Sequence, residues 1–301
     1  MMQRPGGWPI LLLLWLVAVL VGLVTRPLLP VDELRYTAVA WEMWARGEFL
    51  VPWLNGEPYS HKPPLFFWLI HAGWQLFGVN EWSARLVAPL LTLSALYATA
   101  CLARQLWPDD EIAVRLSPPA MFASVFLVAF FTWLQIDMLL VLMTVLAMIG
   151  VVQAANGKAS GWVLAGIALG LGILAKGPVI LLHVLPPALL APLWKTGGPV
   201  GGRGRWYAGM LAAVALAALI GLAWALPAVV AGGENYGRSI LWGQTAGRVV
   251  QSFAHAHPFW WYVPWLFVLF APWVLLPWLW RAWRSAWSMQ DEGLRFCISW
   301  I

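Results

Sequence analysis

Charge and cysteine are both scarce in this chain. Of its 301 residues, 10% are charged and 61% are hydrophobic, and the mean hydropathy is +0.74. These values exclude an ordinary soluble globular protein. The two cysteines, Cys101 and Cys297, are too few for a disulfide framework or a cysteine-based metal site. The net charge of +5 is explained by basic cytoplasmic loops, and the sequence gives no support for nucleic-acid binding.

Long apolar runs fill most of the chain. A membrane-spanning helix needs about 20 apolar residues. The main runs are Ile10–Val24, Leu86–Leu106, Phe122–Ala155, Val163–Trp194, Tyr207–Ala231 and Phe259–Trp280. Two of them are long enough for two crossings each, with polar residues at the breaks. The sequence therefore predicts an all-α polytopic membrane protein of about eight transmembrane helices, folded as a single domain over residues 1–301.

Basic residues in alternate loops indicate the orientation. The set of loops that begins with Arg4 is richer in Lys and Arg, so it is predicted to be cytoplasmic. The first apolar run lacks a small-residue cleavage site and is expected to stay as a span rather than leave as a signal peptide. Residues 30–83 then form the first outer, periplasmic loop.

This outer loop, residues 30–83, contains most of the chain's unusual charge, with six carboxylates and three Lys or Arg residues. Two segments within it, Asp32–Arg46 and Leu65–Phe77, are predicted to be helices lying in the membrane interface. In the first of these, the residues at helical spacing are Leu34, Ala38, Trp41 and Ala45, with Val39 and Met43 beside them. We expect the loop to be a folded cap that carries the active site.

Four polar residues open the first interfacial helix. Asp32 shares a helix face with Arg35 and Tyr36, and Glu33 lies beside it. One interpretation is structural: Asp32 caps the helix and Glu33 complements the helix dipole. The other is functional: a carboxylate at the outer mouth of an apolar bundle acts as a general base on an acceptor hydroxyl.

A second cluster contains a lysine. In His61-Lys62-Pro63-Pro64 the prolines restrict the backbone, which favours a fixed position for Lys62. Such a cation suits a phosphate leaving group. The structural alternative is a lysine that extends its amine to the lipid headgroups.

Two further charged residues interrupt apolar runs. Asp137 is either a functional intramembrane carboxylate or a helix cap, and Lys176 either binds an anion or ends a span. The pair His255 and His257 is a weak signal for a metal, and interfacial histidines are the preferred interpretation.

Several short motifs in consistent order resemble the GT-C membrane glycosyltransferases, and especially the bacterial relatives of protein O-mannosyltransferases, which include the lipid A aminoarabinose transferases. The resemblance runs from about Leu29 to Trp280. The motifs are Asp32-Glu33-Leu34-Arg35-Tyr36, Asn55-Gly56-Glu57-Pro58-Tyr59, Lys62-Pro63-Pro64-Leu65, Phe77-Gly78-Val79-Asn80-Glu81, Ile136-Asp137, Ala175-Lys176-Gly177-Pro178 and His257-Pro258.

The resemblance implies transfer of a sugar from a polyprenyl-phosphate donor to lipid A, another glycan or a protein, on the periplasmic face of a bacterial inner membrane. By this similarity, Asp32 is the principal catalytic carboxylate and Asp137 a second acidic residue of the same cavity. The residues expected to bind the lipid phosphate are Lys62, Arg35 and Lys176. The expected supporting residues are Glu33, Tyr36, Tyr59 and His61.

The chain departs from the family pattern in two motifs. His61 replaces the Glu that usually precedes Lys-Pro-Pro, and Gln244-Thr245 replaces a Glu-His pair. The family's metal-type residues are therefore replaced in this chain, so no cofactor is firmly implied and a divalent metal stays open as an alternative. Family members also continue beyond this length, so we expect a fragment that lacks the C-terminal part.

Two other functions are consistent with the sequence. One is a transporter or flippase for a lipid-linked or anionic solute, although such proteins place their charges near the bilayer midplane in related halves. The other is an inactive, truncated transferase.

Overall fold

The computed structural model describes residues 7–243, 258–286 and 291–300. These parts of the chain are mostly helical, as predicted. The first helices are α1 (Trp8–Thr25), α2 (Asp32–Arg46), α3 (Leu65–Phe77), α4 (Glu81–Leu106), α5 (Glu111–Phe122), α6 (Val125–Phe130) and α7 (Asp137–Ala155). They are followed by α8 (Ser160–Lys176), α9 (Ile180–Leu189), α10 (Ala191–Trp194), α11 (Gly202–Arg238), α12 (Val263–Leu269), α13 (Pro277–Ala286) and α14 (Glu292–Trp300).

Four helical segments in the described part are long and apolar enough to cross a membrane: α1, α4, α7 and α11 with its C-terminal extension. Most of α7 is buried, and it packs against α4 and α8, while α11 packs against the other side of α8. The chain is a multi-pass helical membrane protein with α7 at the centre of its helix bundle.

Glycines allow the central helices to approach closely. A Cβ built on Gly150 of α7 would lie 2.5 Å from the carbonyl oxygen of Gly161 and 2.7 Å from the amide nitrogen of Ala165 in α8. Small residues at such crossings let two helix backbones come into direct contact. This contact sets the distance between α7 and α8.

Residues 32–77 fold into a cap built from α2, a short hairpin and α3. The hairpin pairs β1 (Trp53–Leu54) with β2 (Glu57–Pro58). Its turn is Asn55-Gly56, both at positive φ, as a tight two-residue turn requires. The indole of Trp224, in α11, donates a 2.9 Å hydrogen bond to the carbonyl of Leu50, so the cap is attached to the bundle.

The buried face of α2 differs from the apolar spacing seen in the sequence. The side chains turned inward belong to Glu33, Tyr36, Val39, Ala40 and Met43. Leu34 and Trp41 are 49% and 57% exposed. In a membrane protein apolar residues face lipid as well as the core, so hydrophobicity alone does not identify the packed face.

Two expected spans are divided in the structure. The expected span between Phe122 and Asp137 contains only the short helix α6, since α5 ends at Phe122 and residues 131–136 are not helical. The run Phe259–Trp280 contains the 3₁₀ turns Phe259–Tyr262 and Trp273–Leu275, with α12 between them. Pro258, Pro272 and Pro277 stand at the starts of these short elements, where the missing backbone donor of proline is tolerated.

The expected breaks before Asp137 and after Lys176 are confirmed. The run Val163–Trp194 divides after Lys176, where Gly177 at positive φ follows the end of α8. The run expected to end at Ala231 extends further in the structure, because α11 continues to Arg238 with a kink at Gly233, which has φ 82°. At the opposite end of the bundle from Lys176, the Lys195 amine lies 2.8 Å from the Glu292 carboxylate and connects α14 to the loop after α10.

Candidate active site

Asp32 is the first residue of α2, and its carboxylate pairs with the Arg35 guanidinium one turn later. The helix cap is Val31, and no side chain caps this end, so the structural role expected of an N-capping Asp32 is not observed. The Asp32 side chain is 42% exposed. The predicted shared face of Asp32 and Arg35 is confirmed, and the carboxylate is open to a ligand.

Glu33 has the opposite environment, since its side chain is only 1% exposed. It pairs with Arg26, whose Nη2 lies 3.1 Å from Oε1, and it accepts hydrogen bonds from the backbone amides of Leu29 and Leu134, each at 2.7 Å. Burial raises the pKa of Glu33, but the Arg26 and backbone donors outweigh burial and hold the pKa below its usual value. Glu33 therefore carries its negative charge inside the fold.

Aromatic side chains form the floor beside Arg35. The ring of Tyr36 is buried edge-on to Phe66 and Phe67, and the Arg35 guanidinium lies 5.6 Å from its centroid. Burial, reinforced by the Asp32 charge, raises the pKa of Tyr36. Its phenol is therefore neutral and shapes the site rather than supplying charge.

Tyr59 and His61 adjoin this floor from the loop before α3. The Tyr59 ring is buried 5.1 Å from the His61 ring, and the Tyr59 phenol is near enough to Arg35 to affect its pKa. Lys62 follows, partly buried. Just before it, the hydroxyl of Ser60 lies 2.7 Å from that of Ser239, which connects the Lys62 segment to the turn that follows α11.

Asp137 and Lys176 form a second ion pair, with 2.6 Å between the amine and carboxylate oxygen. Asp137 begins α7 and Lys176 ends α8, so the close packing of these helices brings the two side chains together. Ile136 is the residue at the N-cap of α7, without a side-chain cap, so the expected capping role of Asp137 is not observed either. The side chains of Asp137 and Lys176 are 37% and 29% exposed.

The two ion pairs belong to neighbouring segments. Leu134, whose amide binds Glu33, is three residues before Asp137, and Asp32 is adjacent to Glu33. This region thus holds two accessible carboxylates and two accessible cations, Arg35 and Lys176. Such a set suits chemistry in which a hydroxyl loses a proton and an anionic group leaves.

No cluster of three or more His, Cys, Asp or Glu side chains that would hold a metal ion occurs within residues 7–243, 258–286 and 291–300. The sequence positions that bear on a metal, Gln244, Thr245, His255 and His257, lie outside the described residues.

Arg26, which the sequence did not indicate, lies beside the candidate site. It follows α1 directly and its guanidinium donates a 2.9 Å hydrogen bond to the carbonyl of Thr132 in addition to pairing with Glu33. The only available signal was an isolated arginine after a long apolar run, seven residues before a glutamate.

Comparison with known proteins identifies the family. Residues 61–226 match the model of the dolichyl-phosphate-mannose-protein mannosyltransferase family. The chain belongs to this family. The matched region contains Lys62, Asp137 and Lys176, and Asp32 lies before it.

Curated relatives and solved structures agree with this assignment. An undecaprenyl phosphate-alpha-4-amino-4-deoxy-L-arabinose arabinosyl transferase of Enterobacter sp. (strain 638) is 30% identical over 97% of this chain and 53% of the relative. The enzyme of the same name from Pseudomonas aeruginosa (strain UCBPP-PA14) is 32% identical over 100% of this chain and 54% of the relative. The chain spans about half the length of the curated relatives it matches.

The fold is that of a solved member of this group. The crystal structure of ArnT from Cupriavidus metallidurans bound to undecaprenyl phosphate matches 98% of this chain and 54% of that chain, with a TM-score of 0.81 and 22% sequence identity. The likeness confirms the helical membrane architecture predicted from the sequence.

Proposed function

We propose that this chain is a glycosyltransferase that moves a sugar from a polyprenyl-phosphate donor to an acceptor hydroxyl. The observation that carries the proposal is the pairing of exposed Asp32 with Arg35 at the start of α2, with Asp137 and Lys176 on the neighbouring segment. The curated relatives are named as transferases that use an undecaprenyl phosphate-linked aminoarabinose, which supports this donor class.

In this mechanism Asp32 takes the proton from the acceptor hydroxyl as its oxygen forms a bond to the anomeric carbon of the sugar. The bond between that carbon and the phosphate oxygen breaks, and the polyprenyl phosphate leaves with the electron pair. Arg35, Lys62 and Lys176 stabilise the charge that develops on the phosphate. Attack opposite the leaving group inverts the configuration of the sugar.

Asp137 keeps Lys176 oriented through their 2.6 Å contact. The supporting residues Tyr36 and Tyr59 provide a buried aromatic wall next to Arg35. A low-dielectric wall strengthens the interaction between Arg35 and a phosphate.

The same proposal includes the topology. We place the N-terminus in the cytoplasm, the spans in the inner membrane, and α2 and α3 in the periplasmic interface. Leu34 and Trp41, exposed on α2, would then contact lipid, as amphipathic interfacial helices do. Lipid A is one acceptor class, with other glycans and proteins as the alternatives.

The test follows a labelled sugar in membranes from cells that express the chain. The donor is undecaprenyl phosphate carrying a radiolabelled aminoarabinose, and lipid A, glycan and protein fractions are counted separately. Label that moves to one fraction, with release of undecaprenyl phosphate, supports the proposal. Label that crosses the bilayer while still attached to its carrier would show a flippase instead.

A further inference from the structure

The Arg26–Glu33 pair lies beside the proposed active site but is much more buried than its neighbour Asp32. The Glu33 side chain is 1% exposed and that of Arg26 18%, while that of neighbouring Asp32 is 42% exposed. A substrate that reaches Asp32 has no access to the Glu33 carboxylate. The role of Glu33 therefore differs from that of a catalytic residue.

Both carboxylate oxygens of Glu33 are fully engaged with donors. Oε1 accepts from Arg26 Nη2 at 3.1 Å and from the Leu134 amide at 2.7 Å. Oε2 accepts from Arg26 Nη1 and from the Leu29 amide at 2.7 Å. Arg26 also donates to the Thr132 carbonyl at 2.9 Å. One buried ion pair thus joins the end of α1, the start of α2 and the segment before α7.

The residues joined by this pair lie very near the proposed catalytic groups. Asp32 is adjacent to Glu33 in the chain, and Leu134 is separated from Asp137 by at most about 11 Å of extended backbone. Leu134 and Ile136 are completely buried, so the short connection to Asp137 is itself held by packing.

We infer that the Arg26–Glu33 pair is a positioning device that fixes Asp32 relative to Asp137 across two separate segments of the chain. The inference rests on the proposed function, because it assigns the pair to the geometry of that transfer. A displacement of the reacting groups by about 1 Å from the correct geometry lowers the rate of the reaction about 100-fold.

The hydrogen bonds require a carboxylate at position 33. Every group that faces the side chain is a donor: two guanidinium nitrogens and two backbone amides. A glutamine of the same shape would turn an NH₂ group toward some of these donors, because an amide offers one acceptor oxygen where a carboxylate offers two. Glu33→Gln is therefore the sharpest perturbation.

The matched control is Glu42→Gln on the same helix. Glu42 also pairs with an arginine, Arg46, at 2.8 Å and accepts a backbone hydrogen bond, from Gly56 at 2.9 Å. Glu42 thus makes the same two kinds of contact as Glu33, an ion pair and a backbone hydrogen bond, but these contacts join α2 only to the hairpin of the cap.

The experiment measures kcat and KM for transfer from the undecaprenyl phosphate-linked aminoarabinose donor by the full chain. We expect Glu33→Gln to lower kcat about 100-fold and to change KM less than about threefold, because Arg35 and Lys62 still bind the phosphate. Glu42→Gln is expected to retain the wild-type kcat. A Glu33→Gln variant with wild-type kcat would overturn the inference, and so would a loss confined to KM.

Hydrogen exchange supplies a measurement that does not depend on activity. At least one of the peptides covering residues 27–31 and 130–137 should exchange faster in Glu33→Gln than in wild type, since the Leu29 and Leu134 amides bind different oxygens of Glu33 and glutamine keeps only one. The same peptides should be unchanged in Glu42→Gln. If wild type transfers no sugar, the proposed function fails and exchange alone decides: unchanged exchange in both peptides overturns the positioning role.

Arg26→Lys repeats both measurements if Glu33→Gln does not fold. Lysine keeps the charge but has one nitrogen, so it cannot reach both oxygens of Glu33 and the Thr132 carbonyl in the same planar geometry. We expect a smaller fall in kcat with faster exchange in residues 130–137. Wild-type values for both quantities would overturn the inference.

Discussion

Placing a methyl group on Gly150 tests how closely α7 and α8 approach. A Cβ on Gly150 would lie 2.5 Å from the Gly161 oxygen, 2.7 Å from the Ala165 nitrogen and 3.0 Å from the Ala165 Cβ. Two of these three atoms belong to backbone, which cannot rotate away. For the contacts to reach about 3.5 Å, the helices must separate by about 1 Å.

The cost can be worked from this displacement. Overpacking of a tight contact costs about 1–3 kcal/mol, and the higher end applies because backbone opposes backbone. The better helix propensity of alanine returns about 1 kcal/mol. We therefore expect Gly150→Ala to lower the free energy of unfolding by about 1–2 kcal/mol, equivalent to about 1.5–3 °C in the unfolding temperature of a domain this size.

The assay is thermal unfolding of the purified chain in detergent, followed by tryptophan fluorescence. The control is Gly204→Ala near the start of α11, where a Cβ would meet nothing within 4 Å, and we expect no loss of stability there. If Gly150→Ala unfolds at or above the wild-type temperature, the proposed backbone contact between α7 and α8 is wrong.

Three further predictions concern individual side chains. Burial lowers the pKa of His71 in the folded chain, so His71 is protonated in the unfolded chain first as the pH falls. The unfolding temperature should therefore drop between about pH 7 and 5, and this drop should be smaller in His71→Gln. Asp137→Asn and Lys176→Met should each reduce the rate of sugar transfer, and the double variant should transfer no more slowly than the slower of the two single variants. Additive losses would refute a shared role for the two residues. Lys62→Gln should weaken undecaprenyl phosphate binding about tenfold in a titration, and unchanged affinity would exclude Lys62 from the phosphate site.

Local features of the site were predictable from the sequence because they depend on residues close together in the chain. Asp32 and Arg35 are one helical turn apart, so their pairing follows from helix geometry. The end of α8 at Lys176 follows from the glycine and proline after it. The Asn55-Gly56 turn is equally local.

Contacts between distant segments were not predictable. Glu33 binds Arg26 and the Leu134 amide, and neither partner is specified by sequence spacing. The functional role expected of Asp137 gave no indication that Lys176, on the next helix, would be its partner. Helix packing created both contacts.

The errors in the fold have a common physical origin. The apolar spacing in the sequence correctly indicated an amphipathic helix at α2, but it assigned Leu34 and Trp41 to the packed face, and both are exposed. Lipid and core both accept apolar residues, so the spacing does not distinguish them. Hydrophobicity also joined Phe259–Trp280 into one span, although Pro272 and Pro277 stand at the boundaries of short turns and helices.

The central claim, that Asp32 is the carboxylate that accepts the proton in sugar transfer, is tested most directly by Asp32→Asn. The variant keeps the size of the side chain but removes the base. The matched control is Asp110→Asn at the start of α5, where the side chain caps the helix by accepting from Ile112 and Ala113.

Both variants are assayed for transfer of radiolabelled aminoarabinose from undecaprenyl phosphate, with binding of undecaprenyl phosphate measured on the same preparations. We expect Asp32→Asn to lower transfer at least 100-fold while it still binds undecaprenyl phosphate, and Asp110→Asn to retain wild-type transfer. Wild-type transfer by Asp32→Asn would contradict the account.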